Sequence, residues 1–150
     1  MTTLNKGDKA PHFSAVDQNG TLRTLADYAG KKLVVFFYPK ASTPTCTVEA
    51  CNLRDNFAAL QSSGYEVLGV SADGISAQKK FQEKQLLPYP LLADENLEVI
   101  KAFGVWGPKK FMGKTYDGIH RTTFLIDENG IIEKVITDVK AKIHSEQILG

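Results

Sequence analysis

Two apolar runs dominate the hydrophobic pattern, Leu33-Val34-Val35-Phe36-Phe37-Tyr38 and Tyr65-Glu66-Val67-Leu68-Gly69-Val70-Ser71. Each is short and rich in β-branched and aromatic residues, the signature of a buried central strand. Leu91-Leu92-Ala93 reads as a further short strand. Elsewhere the period changes. From Cys46 onward Val48, Cys51, Leu53, Phe57 and Leu60 stand at helical spacing among polar residues, and helices are also predicted over Ser76 to Lys84 and Glu95 to Phe103. Asn19-Gly20, between Phe13-Ser14-Ala15-Val16 and Thr21-Leu22-Arg23, predicts a hairpin turn. Thr122 to Asp127 and Ile131 to Thr137 predict a strand pair around Glu128-Asn129-Gly130, and a last helix, expected to be cut short at Gly150, begins near Ala141. Helices alternating with strands and ending in a hairpin imply an α/β fold, a mixed sheet covered by helices. With no repeat, low-complexity segment or linker, residues 1–150 read as one domain.

Composition narrows the function. The 150 residues are 43% hydrophobic and 23% charged, which is enough for one sizeable core and too little for two. A formal net charge of +1 gives no case for nucleic acid or an anionic membrane as partner. No stretch is long enough to span a bilayer, and the first six residues lack the apolar core of a secretory signal. The two cysteines, five residues apart, are no disulfide framework, so a reducing cytoplasm is the expected compartment. His12, His120 and His144 are scattered and form no zinc spacing with the cysteines. Gly69, Gly104, Gly107 and Gly113 make no phosphate-binding loop, and no cofactor or metal is expected. Lys79-Lys80 and Lys109-Lys110 read as solvated faces, and Trp106 as a packing residue.

The cysteines carry the chemistry. Cys46 falls where the strand ending at Tyr38 gives way to a helix. Thr43 suits the N-cap and Pro44 the first helical position, where a missing N–H costs nothing. Cys46 is then the third helical residue, surrounded by unpaired amides at the positive end of the helix dipole. That position favours the thiolate, the reactive form of cysteine. Cys51 points roughly 140° away and lies about 7.5 Å further along an ideal helix. A disulfide needs Cα atoms within about 7 Å and facing Cβ atoms. The two residues can therefore bond only if the helix unwinds, and on spacing alone Cys51 is equally well a small core residue.

Pro39, Thr43 and Cys46 resemble the Pro-x-x-x-Thr-x-x-Cys motif of peroxiredoxins. With Tyr38, Lys40, Glu49-Ala50-Cys51 and Arg54-Asp55 the stretch is similar to the bacterioferritin comigratory protein branch, also called peroxiredoxin Q. The resemblance continues through Gly7-Asp8-Lys9-Ala10-Pro11, Asp17-Gln18-Asn19-Gly20, Val105-Trp106-Gly107, Lys109 to Lys114, Gly118-Ile119, Arg121 and Thr123 to Asp127. Departures are Thr45, where the family usually has glycine, Ala41-Ser42 in place of an acidic or amide-bearing pair, and His12 in place of an acidic residue. Thr45 bears on peroxide preference and rate.

The resemblance implies a thioredoxin-like fold with an amino-terminal extension, and a peroxidatic Cys46 whose thiolate takes one oxygen of a hydroperoxide. It implies that Arg121 brings a fixed charge to the thiolate and peroxide, that Pro39 walls the pocket, and that Cys51 resolves the sulfenic acid as a disulfide. Thr43 can donate its hydroxyl toward peroxide, and Glu49 is expected to orient Arg121. Thioredoxin or glutaredoxin is the expected reductant, and an intramolecular resolving residue makes a monomer the default. On the residues alone, Thr43 is a helix cap, Pro39 a strand end, Arg121 a surface cation and Glu49 a solvated carboxylate. Two other functions fit a thioredoxin scaffold. A thiol–disulfide oxidoreductase relies on Cys-x-x-Cys, absent here, and a redox-sensing module would oxidise slowly without turnover.

Overall fold

The computed structural model describes residues 2–150. At its centre β3 (Lys32–Phe37) and β4 (Tyr65–Ser71) run parallel, with Val35 opposite Leu68. β5 (Leu91–Ala93) extends the sheet beyond β4 in parallel. β8 (Thr122–Ile126) pairs antiparallel with β3, and β9 (Ile132–Ile136) with β8, giving the order β5-β4-β3-β8-β9.

The side chains of β3 explain its unbroken apolar run. Leu33, Val35 and Phe37 enter a core with Phe13, Val99, Phe103 and Phe124. Val34, Phe36 and the following Tyr38 enter a second core with Cys46, Leu53, Leu60, Phe81 and Ile148. Alternate residues of a strand point to opposite faces, so a strand covered on both has no polar side. In the first core Phe103 lies with ring centroids 5.2 Å from Phe37, 5.0 Å from Phe124 and 6.3 Å from Phe13. Phe103→Ala should therefore cost about 3–5 kcal/mol of stability in a urea titration. A loss under about 1 kcal/mol would mean that the three neighbouring rings collapse into the space.

The amino-terminal hairpin forms as expected from β1 (Ser14–Val16) and β2 (Leu22–Thr24). Asp17 organises its turn by accepting the amides of Asn19 and Thr21, and Gly20 takes φ +74. A 3-10 turn, Leu25–Tyr28, then leads to β3.

The predicted helix after Cys46 is two helices, α1 (Pro44–Asp55) and α2 (Phe57–Ser62). Asn56 breaks them apart at φ −111, ψ 15, its side-chain amide donating to the Asn52 carbonyl at 2.9 Å. Such local bonding competes with helix continuation. α3 (Ile75–Gln85) stands within a residue of expectation. The helix predicted over Glu95 to Phe103 shortens to α4 (Glu98–Ala102), because Leu97 adopts left-handed torsions. Asp94 holds that turn, taking the Ile100 amide at 2.8 Å.

A further hairpin has no counterpart in the sequence pattern: β6 (Trp106–Phe111) pairs with β7 (Lys114–Ile119) around Met112-Gly113, both at positive φ. Most of its residues are exposed, so it lacks the alternating apolar pattern of a half-buried strand. After β9 a 3-10 turn, Ala141–Ile143, leads into α5 (His144–Leu149), which packs on α1. Among the described residues no helix is long and apolar enough to cross a membrane.

Candidate active site

The loop from β3 to α1 sets the site. After Tyr38 the chain is pinned to the end of β4, the Ala41 amide donating to Asp73 Oδ2 at 2.8 Å and the Ser71 hydroxyl donating to the same oxygen at 2.6 Å. Ser42 takes φ 65, and Thr43 returns to extended torsions at the N-cap with Pro44 first in the helix. Cys46 is thereby the third residue of α1, and only 1% of its surface is exposed.

Arg121 reaches it from the opposite end of the sequence. β8 is registered so that Thr122 faces Phe37, which brings Arg121, one residue earlier, level with the β3–α1 loop. Arg121 Nη2 donates to Cys46 Sγ at 3.2 Å, and Nη1 donates to Glu49 Oε1 at 2.5 Å. Glu49 is three residues after Cys46, hence on the same face of α1, and is fully buried. One guanidinium thus spans the sulfur and the carboxylate in its planar fork. Burial opposes the charge of Arg121, but Glu49 and Cys46 outweigh it and its pKa is raised. Burial pushes Glu49 up to about 7, with Arg121 pulling the other way.

The remaining predicted residues are placed differently. Thr43 occupies the N-cap, but its hydroxyl makes no capping bond and donates instead to the Lys40 carbonyl at 2.8 Å. The sequence expectation of a side-chain cap is corrected here; the Thr43 carbonyl accepts the Thr47 amide and hydroxyl, so its backbone starts the helix. Pro39 is half-buried just after Tyr38. Cys51 is half-buried, with Sγ 3.5 Å from Gln85 Oε1 on α3, and both thiols are free. The Ala50 carbonyl accepts the Tyr89 hydroxyl at 2.7 Å, and the Asn52 side chain bridges to the Lys142 carbonyl and the Ser145 amide. These contacts hold α1 as a regular helix through Cys51.

Two residues read as unremarkable in the sequence belong to this neighbourhood. His144 is fully buried, its Nε2 3.5 Å from Glu49 Oε2. Lys109 is half-buried rather than solvated, donating to the Ile119 carbonyl at 2.8 Å, and its pKa is lowered by burial and by Arg121. Neither has a local signal, since both meet the site only through folding of distant segments. Trp106 packs partly buried against the first core.

A groove of about 390 Å³ runs beside the start of α1, lined by Pro44, Thr45, Val48, Lys140, Ala141 and Lys142. Thr45, the departure from glycine, therefore faces this groove. Another cavity, of about 300 Å³, lies at the far ends of β3 and β8 beside Leu33 and Ile126, away from Cys46. Among the described residues no group of three or more His, Cys, Asp or Glu side chains could hold a metal.

A cysteine sealed into the first turn of a helix, with a charged arginine donating to its sulfur, marks a thiol-based redox enzyme on a thioredoxin-like scaffold. The AhpC/TSA family matches residues 6–135. Peroxiredoxin Bcp of Escherichia coli K12 is 52% identical over 150 residues, covering 100% of this chain and 96% of that protein. A putative peroxiredoxin Bcp of Haemophilus influenzae is 46% identical over 149 residues, 99% of this chain and 96% of its own. Among solved structures, a cysteine mutant of Xylella fastidiosa PrxQ superposes with a TM-score of 0.92 at 31% identity, over 99% of this chain and 95% of that one. The Xanthomonas campestris bacterioferritin comigratory protein, studied for its alkyl peroxide reduction activity, gives 0.88 at 32% identity, over 99% and 95%. The chain belongs to the AhpC/TSA family, as a peroxiredoxin of the Bcp and PrxQ kind, and is a peroxidase.

Proposed function

We propose that this peroxidase reduces hydrogen peroxide and organic hydroperoxides through Cys46, with Cys51 as resolving residue and a dithiol protein as reductant. The observation that carries the reading is the Arg121 guanidinium donating at 3.2 Å to the sulfur of the buried Cys46. The thiolate attacks the terminal oxygen of ROOH, the O–O bond breaks, and Cys46 becomes a sulfenic acid. The departing RO⁻ takes a proton to become an alcohol, or water when R is hydrogen. Negative charge moves from sulfur to the departing oxygen, so a fixed cation beside both lowers the barrier. Thr43 sits one helical turn before the sulfur, and its hydroxyl, which donates to the Lys40 carbonyl in the free protein, is the donor assigned to a peroxide oxygen. Pro39 flanks the pocket and Glu49 orients the guanidinium.

Cys51 then attacks the Cys46 sulfur, expelling water and forming the Cys46–Cys51 disulfide. The intact α1 cannot accommodate this bond, so the helix must open between them and release the Tyr89–Ala50 bond. Thioredoxin or glutaredoxin restores both thiols by exchange. Because resolution is internal to one chain, we take the monomer as the working unit, in a reducing compartment such as the cytoplasm, serving antioxidant defence. No cofactor enters the cycle. The apolar groove beside Thr45 and Val48 offers a place for an alkyl chain, consonant with the alkyl peroxide activity of the Xanthomonas protein.

Peroxide consumption coupled to thioredoxin tests the cycle. Removing the guanidinium with Arg121→Ala should slow Cys46 oxidation by more than about tenfold in a single-turnover experiment. An unchanged second-order rate would place the transition-state stabilisation elsewhere.

A further inference from the structure

Behind Arg121 lies a buried pair whose geometry requires a proton. Glu49 Oε1 accepts from Arg121, but Oε2, also buried, has no hydrogen-bond partner among the described residues. His144 Nε2 lies 3.5 Å from it. The protonation of that nitrogen can be deduced from the other side of the ring. His144 Nδ1 lies 2.8 Å from Gln147 Oε1. Gln147 cannot be turned over, because its Oε1 also accepts the Lys140 amide at 2.9 Å and its Nε2 donates to the Asp138 carbonyl at 2.8 Å. Nδ1 must therefore carry a hydrogen. In a neutral imidazole Nε2 is then a bare acceptor, taking the Thr123 hydroxyl at 2.8 Å. With that lone pair occupied and no hydrogen on Nε2, the ring offers nothing to Glu49, and an ionised carboxylate would leave Oε2 charged and buried without a donor.

We infer that Glu49 and His144 share one proton between Oε2 and Nε2, and that this proton sets the charge felt by Cys46 through Arg121. The proton resides either on the carboxyl or on the imidazole; in both cases the pair is neutral overall. Arg121 then faces the Cys46 sulfur with its charge undiminished. Loss of the proton leaves a net negative pair against Arg121 and weakens its support of the charge moving onto peroxide. Burial drives both members away from their charged forms, Glu49 up to about 7 and His144 below its ordinary value. The two titrate as a unit, so one apparent pKa belongs to the pair. The other charged or titratable groups facing it are Arg121 from the start of β8, Cys46 on α1 and the Tyr89 phenol ahead of β5. Tyr89 stays neutral, its pKa raised far above the ordinary value by burial. His144 is thus a positioning residue, acting on sulfur chemistry only through Glu49 and Arg121, and its effect on rate rests on Cys46 being the peroxidatic cysteine.

The test follows the ring nitrogens of His144 by nitrogen-15 NMR against pH in the reduced full-length protein, together with the single-turnover rate of Cys46 oxidation. The expected result is one shared transition: as pH rises the ring shifts and the rate falls by about tenfold at the same pKa, well above Glu49's ordinary carboxylate range. His144→Asn supplies an amide donor that satisfies an ionised Glu49, and Glu49→Gln removes the acid. Both variants should flatten the alkaline fall, and Glu49→Gln should remove the ring transition. A ring that titrates unaltered in Glu49→Gln overturns the shared proton. A ring transition with no matching rate change confines the proton to structure and overturns its influence on Cys46. A protein in which the ring transition appears but Cys46 is never oxidised leaves the pair standing and sinks the peroxidatic assignment instead.

Discussion

Cys46→Ser is expected to bring peroxide consumption down to the uncatalysed level, a loss of roughly four orders of magnitude or more. Serine keeps the size of the side chain and the contact with Arg121, but its hydroxyl is not ionised near neutral pH and is a poor nucleophile toward an O–O bond. The pocket should persist, since Arg121 remains tied to Glu49 and the helix start depends on Thr43 and Pro44 rather than on sulfur. Rapid mixing with hydrogen peroxide checks the loss, and circular dichroism checks that the fold is retained. Residual activity within about tenfold of the wild type would transfer the peroxidatic role to Cys51, the other thiol of the chain.

Cys51→Ser should divide the cycle in two. The first turnover stays fast, because Cys51 lies on a different side of α1 from Cys46, against Gln85 of α3. The second step fails. Thioredoxin-driven turnover should fall by about a hundredfold or more, with sulfenic acid accumulating on Cys46 and excess peroxide carrying it onward to sulfinic acid. The half-burial of Cys51 and its weak sulfur contact leave it available once the helix opens. Steady-state consumption at the wild-type rate in this variant would show that reductant attacks the Cys46 sulfenic acid directly.

How much of this was readable in the sequence depends on how local each signal was. β4 and β5 were placed to the residue and β3 within one, because strands covered on both faces leave apolar runs without interruption. The start of α1 was equally legible: Thr43-Pro44 fixes it by backbone torsions alone, even though the threonine hydroxyl turns to Lys40. The break at Asn56 and the late start of α4 at Glu98 escaped, since each is decided by one side chain bonding locally, Asn56 to Asn52 and Asp94 to Ile100. The β6–β7 hairpin escaped because its strands are mostly exposed, and a strand without a buried face has no period to detect.

The site divides along the same line. Cys46 and Glu49 share one helix, and Arg121 came from the family motif rather than from its own surroundings. His144 had no such route. Its meaning arises only when α5 docks on α1 and brings an imidazole against a carboxylate 95 positions earlier, which no spacing in a single chain announces. Lys109 was misread for a related reason: adjacent lysines usually mark solvent, and only the register of β6 on β7 turns this one over Gly118 toward the Ile119 carbonyl.

The central claim is that peroxide oxidises Cys46 first and that Cys51 then closes a disulfide with it. The most direct measurement mixes reduced protein with one equivalent of hydrogen peroxide, quenches at successive times with a thiol-blocking reagent, and maps both cysteines by peptide mass. The account predicts early sulfenic acid on Cys46 alone, giving way to a Cys46–Cys51 disulfide that thioredoxin reduces. Oxidation no faster than that of a free thiol, or beginning at Cys51, would contradict it.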